Sequence, residues 1–143
     1  MSMVKYPLDV ETITLQLLVI NQYYAPDVAS TGRLAEELCR GMVSRGLEVH
    51  VVTAQPSYTA ESREAPAAET QDGVRVHRIS IGSTRGRERI GIRLIGYLRF
   101  LWGAWRMARA IVIAERPDAI LTFHNPPAVG LIGAALAKRH KLQ

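Results

Sequence analysis

Four polar stretches carry the side chains whose types suit chemistry. Residues 21–32 hold Tyr23, Tyr24, Ser30, Thr31 and Gly32, residues 55–58 hold Gln55, Ser57 and Tyr58, and residues 124–127 hold His124 and Asn125. Residues 83–89, STRGRER, bring Arg85, Arg87 and Arg89 together, with Arg93 just beyond. Ring faces, hydroxyls and amides on loops suit a polar ligand, and the arginine cluster suits an anionic one such as a diphosphate or an anionic headgroup. His124 is the only titratable side chain placed directly after a central strand. It is a candidate to contact or polarise a bound substrate, and it equally fits a loop histidine bonded to backbone.

The elements that must position these loops are legible in residues 15–54, LQLLVINQYYAPDVASTGRLAEELCRGMVSRGLEVHVVTA. Leu15, Leu17, Leu18, Val19 and Ile20 form an apolar run without alternation, as in a strand buried on both faces. Ser30 or Thr31 suits the N-cap of a helix in which Leu34, Leu38 and Met42, with Ala35 beside them, form one apolar face. Gly46 suits the left-handed residue that ends that helix. Val49, Val51 and Val52 make the next strand. Strand, loop, helix and strand in this order are a right-handed βαβ unit with parallel strands. Ligands of open α/β sheets bind beyond the carboxyl ends of the strands, which is where residues 21–32 lie. The free N–H groups of the following helix favour an anion there, although the loop also reads as a plain connection. Neither G-x-G-x-x-G nor a Walker sequence is present, so the usual dinucleotide and P-loop fingerprints are absent.

Further along, residues 55–58 end the second strand on the same side of the sheet. Residues 59–71, TAESREAPAAETQ, have no apolar period and read as a mobile loop. Asp72-Gly73 is a turn. Val74, Val76 and Ile79 predict a third strand of edge or half-exposed character, with His77 on its surface. A long helix is expected from about residue 88 to residue 115, with Leu94, Leu98, Leu101, Trp105, Ala108 and Val112 in one stripe and Phe100 and Trp102 off it. Its uncharged runs fall short of the roughly 18–20 residues a membrane span requires. Arginine mixed with Trp, Phe and Ile suits a helix lying at a lipid surface, and it equally suits a core helix with solvated arginines. Residues 119–123 read as a strand and residues 128–138, AVGLIGAALAK, as a helix whose small residues pack closely on a sheet.

The chain of 143 residues has a hydrophobic content of 48%, enough for one domain with a real core. Residues 1–12 read as a loose tail without the apolar core of a signal peptide, and residues 13–143 as a single α/β domain. The only cysteine, Cys39, falls mid-helix and reads as packing. The net charge is +5, yet residues 73–116 hold ten arginines against Glu88 and Glu115 and carry +8 by themselves. Such a segment wants an anionic partner: phosphate groups, anionic lipid or nucleic acid.

Taken in order, these segments resemble the N-terminal part of GT-B-fold glycosyltransferases of family 4. The features that carry the resemblance are QLLVINQYYAPDVASTGRLAEELCRGMVSRGLEVHVVTAQPSY, DGVRVHRI, the arginine-rich helix and PDAILTFHNPPAVGLIGAALAKRHK. Together they cover nearly the whole chain after Thr12, and they are most similar to cell-envelope sugar transferases related to the fucosamine transferase WbuB. The resemblance implies a Rossmann-like open parallel sheet with helices on both faces, forming the acceptor-side domain of a two-domain enzyme. A C-terminal domain, absent from this chain, would bind most of the nucleotide-sugar donor. The reaction implied is retaining and metal-independent, with a lipid-linked or polysaccharide acceptor, no cofactor, and work at the cytoplasmic face of the membrane. Family members often carry a Gly-Gly pair near the donor diphosphate, where this chain has Val28-Ala29-Ser30-Thr31-Gly32 and only Gly32 remains. On this reading Tyr23, Tyr24, Ser30, Thr31, Gly32, Gln55, Ser57, Tyr58 and Asn125 line the cleft and His124 assists the acceptor. Arg85, Arg87, Arg89 and Arg93 meet a lipid diphosphate or the membrane surface.

Two other classes compete with this reading. One is a non-catalytic α/β module acting with a separate donor-binding domain. The other is nucleic-acid binding through the arginines, which the absence of a helix-turn-helix, RRM or OB pattern disfavours.

Overall fold

The computed structural model describes residues 13–59, 61–82 and 89–142. The tail expected over residues 1–12, and Arg85 and Arg87, lie outside the described residues. The elements run β1 (Gln16–Ile20), α1 (Ser30–Val43), β2 (Glu48–Ala54), β3 (Ala68–Gln71), β4 (Val74–Ile79), α2 (Ile90–Glu115), β5 (Ala119–Thr122) and α3 (Val129–His140). β1 lies between β2 and β5 and is parallel to both. β4 adds in parallel to β2, and β3 adds antiparallel to β4, giving the order β3-β4-β2-β1-β5. Successive residues of β1 feed opposite cores, as a strand with period two must. Leu17 and Val19 pack with Ala35 and Cys39 of α1, whereas Leu18 and Ile20 pack with Phe100 and Ala104 of α2 and Leu136 of α3. The architecture is therefore the expected one, an open, mostly parallel sheet with helices on both faces.

The chain builds from β1 through β2 to β4 and then returns to the other side of β1 with β5. That change of direction is the switch point at which open α/β sheets leave a crevice beyond the carboxyl ends of the strands. The loops after β1 and β5 flank it.

Glycine chemistry matches expectation where turns demand it. Gly46 has φ +88, with Gly46 N–H bonded to Val43 O at 2.9 Å and Leu47 N–H to Met42 O at 3.2 Å, the paired bonds of a Schellman ending. Gly133 has no room for a side chain: an added Cβ would stand 2.6 Å from Thr122 Cγ2, so α3 lies directly on β5.

Several expectations need correction. α1 turns Gly32, Ala35 and Cys39 inward, while Leu34 is 57% exposed and Leu38 37% exposed. Both triplets have helical spacing; the small one wins because it lets the helix approach the sheet, and Gly32 sits 3.3 Å from the Tyr23–Tyr24 backbone by the position of its would-be Cβ. Ala29, not Ser30 or Thr31, precedes the first helical residue, and no side chain caps the helix. Residues 68–71, expected as part of a loop, form β3. Asp72 (φ 50) and Gly73 (φ 81) both take the left-handed region, the signature of a two-residue type I′ hairpin. Backbone pairing to β4 makes this strand, so it needs no apolar period. β4 keeps its alternation and is half-exposed, as one of the two expectations had it, but it is not an edge strand, because β3 pairs with its outer side.

The stripe expected on α2 holds at Ala108 and Val112, with Leu101 and Trp105 packed against the core, and fails at Leu94 and Leu98. The buried residues are Phe100, Ala104, Ala108, Ile111 and Val112, whereas Leu94 and Leu98 are more than half exposed. A 26-residue helix is about 39 Å long, roughly twice the length of these strands. Only the part from Phe100 onward rests on the sheet.

Candidate functional site

At the carboxyl edge of the sheet, one carboxylate shapes the crevice. Asp27 is buried in the loop after β1 and accepts from loop backbones on both of its oxygens. Oδ2 receives Ser57 N–H at 2.8 Å and Tyr58 N–H at 3.1 Å, and Oδ1 receives Val28 N–H at 3.1 Å and Tyr58 N–H at 3.2 Å. Charge-assisted bonds of this kind are stronger than neutral ones, and here they fix the loop after β2 to the loop after β1. The clamp brings Tyr23 and Tyr58 into an edge-to-face pair, with ring centroids 5.7 Å apart at 83°. Tyr58 is exposed and Tyr23 nearly buried beneath it, with the buried Ser57 alongside.

Arg78 is the second fastener. Its position in β4 continues the inward series Val74, Val76, Arg78, so its side chain is fully buried. Nη2 donates to Ala25 O at 2.7 Å, Nη1 donates to Pro66 O at 3.0 Å, and Glu69 of β3 supplies the opposing charge. The same guanidinium thus holds the first loop and the segment ahead of β3. Gln55 pins that segment too: its amide exchanges two bonds of 2.9 Å with the backbone of Ala65.

Asn21 and Gln22 join the first loop to the other elements. Asn21 Nδ2 donates to Tyr23 O at 2.7 Å and to Thr31 O at 3.3 Å. Gln22 N–H reaches Asn125 O at 3.4 Å, while Gln22 O receives Ala54 N–H at 3.1 Å and Thr53 Oγ1–H at 3.0 Å. The side-chain amide of Gln22 is buried, with no hydrogen-bond partner among the described residues. Ala25–Pro26 and Asn125–Pro126, one in each flanking loop, are cis.

The residues named from sequence therefore divide. Tyr23, Ser57 and Tyr58 come together, and the Gln22–Asn125 bond joins the loop after β5 to the loop after β1 across the switch point. His124 is exposed and Asn125 half-buried. Tyr24 points elsewhere: it is buried on the α1 side of the sheet with its hydroxyl bonded to Cys39. Burial pushes the Tyr24 phenol far above its ordinary range and the Cys39 thiol up to about 11, so both stay neutral and Cys39 serves packing. Gly32 is committed to close contact with the first loop and Gln55 to Ala65, while Thr31 gives its backbone carbonyl to Asn21. Ser30 is exposed at the start of α1, and Arg89 and Arg93 are exposed at the start of α2. Asp27, Arg78 and Gln22 were missed in the sequence reading. For Arg78 a signal existed, since a charge in step with two buried valines must find a buried partner.

A separate polar cluster lies under α2. His50 and His77 face each other from β2 and β4 with parallel rings 5.6 Å apart, and His50 Nδ1 is 3.3 Å from His77 Nε2. Those two distances leave roughly a ring radius at each end, so the pair is an in-plane hydrogen bond. Arg75 Nη1 lies 3.2 Å from His50 Nε2 and can only donate. His50 is therefore protonated on Nδ1 and donates to His77, whose own proton sits on Nδ1. His77 is thus half-buried and engaged, not the surface residue expected. Burial, followed by the charge of Arg75, lowers both histidine pKa values, against weaker opposition from Glu115.

Among the described residues no three His, Cys, Asp or Glu side chains gather as a metal-ligand set, and no helix is long and apolar enough to cross a membrane. The family model described as "Glycosyl transferase 4-like domain" matches residues 31–143, from the start of α1 through α3. No curated protein matches the chain. The match spans the helices, the strands after β1 and three of the four loops at the carboxyl edge, and the chain belongs to the glycosyl transferase 4-like family.

Proposed function

We propose that this glycosyltransferase domain is the acceptor-side half of a GT-B enzyme that moves a sugar from a nucleotide-sugar to a lipid-linked or polysaccharide acceptor in cell-envelope glycan synthesis. A second Rossmann-like domain would hold the donor, and the enzyme would work at the cytoplasmic face of the membrane. The observation that carries the reading is the wall formed by Tyr23, Ser57 and Tyr58 at the carboxyl edge beside the switch point, held by Asp27. An exposed tyrosine ring on a fixed loop offers a face for a sugar ring and a hydroxyl for its polar edge. Transfer needs a positioned acceptor hydroxyl, a proton acceptor, and dipoles or cations on the leaving diphosphate. On this reading the exposed His124 meets the acceptor, and the exposed Arg89 and Arg93 at the start of α2 meet a diphosphate. Retention and independence of metal and cofactor follow from the resemblance to family 4.

A non-catalytic accessory subunit is the second reading, and one observation favours it. β5 closes one side of the sheet with Ile120 and Leu121 only half-buried and no further strand beside it among the described residues. Such an edge is a template for pairing with another chain.

The test is transfer of label from a panel of nucleotide-sugars into lipid-extractable or polysaccharide material by the intact enzyme. Tyr58→Ala should raise the acceptor KM about tenfold, a loss of about 1.4 kcal/mol. His124→Ala should lower turnover by about a hundredfold, as loss of a general base does. Turnover within about twofold of the wild type would remove His124 from the chemistry, since even modest acid–base catalysis exceeds that. Absence of transfer from every donor would leave the accessory reading.

A further inference from the structure

α2 is longer than the sheet it covers, and the excess lies at the site. The helix follows the carboxyl end of β4 and leads to the start of β5, so it runs against the strands. Its first turns therefore stand at the carboxyl edge. All five buried residues of α2 begin at Phe100. Ahead of and around that point Ile90, Leu94, Ile95, Leu98 and Trp102 are each at least half exposed. An exposed apolar surface of this extent on a folded domain marks an interaction site.

Charge selects the partner. No acidic residue occurs from Ile90 to Ala114, while Arg93, Arg99, Arg106 and Arg109 are all exposed. At 100° per residue, Ile95, Leu98 and Trp102 share one side of the helix with Arg99, Arg106 and Arg109. A second copy of the chain is disfavoured, because two such faces would oppose arginine to arginine. Nucleic acid would neutralise the arginines but leave Ile95, Leu98 and Trp102 in water. An anionic bilayer satisfies both halves: the apolar side chains enter the acyl boundary, Trp102 sits at headgroup level, and the arginines snorkel to lipid phosphates. Beside this face a shallow groove of about 530 Å³, lined by Leu98, Trp102, Trp105, Ala128 and Ile132 among others, gives the surface an apolar floor. Ala128 directly follows the His124–Pro127 loop, so the apolar surface is continuous with the site.

We propose that the outward face of α2, centred on Ile95, Leu98 and Trp102 with Arg99, Arg106 and Arg109, lies in the interface of an anionic phospholipid bilayer. The face holds the carboxyl-edge crevice at the membrane surface. The proposal rests on the reading that the acceptor is lipid-linked, and it names the surface that meets the lipid.

The experiment is co-sedimentation of the full chain, without sugar donor, with phosphatidylcholine vesicles and with vesicles that also contain phosphatidylglycerol. Tryptophan quenching by lipids brominated on their acyl chains is measured in parallel. The expected result is binding only to the anionic vesicles, weakened by salt, with emission quenched and the quenching reduced in Trp102→Phe. Arg99→Gln and Arg106→Gln should each weaken partitioning about fivefold. A Leu98→Ser/Trp102→Ser double variant should lose binding while keeping its helical circular dichroism and melting temperature, because both side chains are already exposed. Three results would overturn the proposal: equal binding to neutral vesicles, emission untouched by brominated lipid, or a dimer or DNA complex that the double variant abolishes. Failure of the surface assignment is distinguishable from failure of the transferase reading. In the first case the intact enzyme still glycosylates a detergent-dispersed acceptor; in the second, vesicle binding persists without transfer.

Discussion

Two buried polar clusters hold this fold, and they do so in opposite charge states. At the carboxyl edge Asp27 and Arg78 work as ions, each gathering several backbone groups from different loops. Beneath α2, His50 and His77 form a hydrogen-bonded chain that exists only while both rings are neutral. The difference follows from what each cluster faces. Loops leave many N–H and C=O groups without ladder partners, and a charge with several bonding positions satisfies them at once. Between two strands every backbone group is already paired, so the side chains need only satisfy each other, and Arg75 settles the direction of the chain by being unable to accept. One cluster shapes the site, and the other couples helix and sheet to pH.

The sharpest way to break the ionic side is Arg78→Met. Methionine fills the volume but leaves Ala25 O and Pro66 O without donors and Glu69 without its cation. Removing one partner of a buried pair costs about 3–5 kcal/mol, and because Glu69 keeps some access to water the expected loss here is about 2–4 kcal/mol. Urea unfolding measures it. A loss below about 1 kcal/mol, within the range of exposed ion pairs, would mean that the guanidinium contributes no more than a surface contact.

The neutral side is tested by pH. Both histidines have folded pKa values below their ordinary 6.5, so the unfolded chain binds protons that the folded chain refuses. Their contribution to stability is therefore full above about pH 6.5 and falls as the pH drops below it. The slope cannot exceed about 1.4 kcal/mol per pH unit for each histidine, the limit for one proton. Stability curves from pH 7.5 down to about 5 should bend in this way, and His77→Gln, which keeps an acceptor for His50, should reduce the slope by about half. An unchanged slope would show that His77 carries no part of the linkage.

These clusters also mark where sequence reading stopped. The βαβ order, the Gly46 ending, the Asp72-Gly73 turn and the loops beyond the strands were all legible, because each depends on local periodicity or on backbone conformations few residues tolerate. The inward faces of α1 and α2 were legible only in part: Ala35, Ala108 and Val112 lie where periodicity puts them. Periodicity weights large apolar residues, while close helix–sheet contact also selects Gly32, Cys39 and Ala104. β3 was hidden because its stability lies in the ladder with β4. At the candidate site, Tyr23, Ser57 and Tyr58, named from their position in the chain, stand together in the structure. Asp27 was not, since its role depends on a loop 30 residues away.

Asp27→Asn separates shaping the site from holding the fold. Asparagine has the same size but only one acceptor oxygen, so it cannot receive Ser57, Tyr58 and Val28 as the carboxylate does. The expected loss of stability is about 1–2 kcal/mol, the scale of hydrogen bonds to a charged group. The Tyr23–Tyr58 pair should loosen with it, and the acceptor KM should rise more than turnover falls. Stability lost with KM unchanged would mean that the tyrosine wall does not meet the acceptor.

The smallest effect expected tests whether neutrality alone makes a buried pair worth keeping. Tyr24 and Cys39 are bonded across the α1 face, both held neutral by burial, and neither gathers backbone groups as Asp27 and Arg78 do. Tyr24→Phe removes one hydroxyl and leaves a thiol, itself a weak donor and acceptor that tolerates an apolar neighbour. The expected loss is about 0.5–1 kcal/mol, at the low end for a hydrogen bond, and it should not vary between pH 5 and about 8 because neither group titrates there. A loss as large as that of Arg78→Met would show that α1 is held by this bond. Small-residue packing at Gly32 and Ala35 would then be the lesser term on that face, and the contrast between the ionic and neutral clusters would not extend to it.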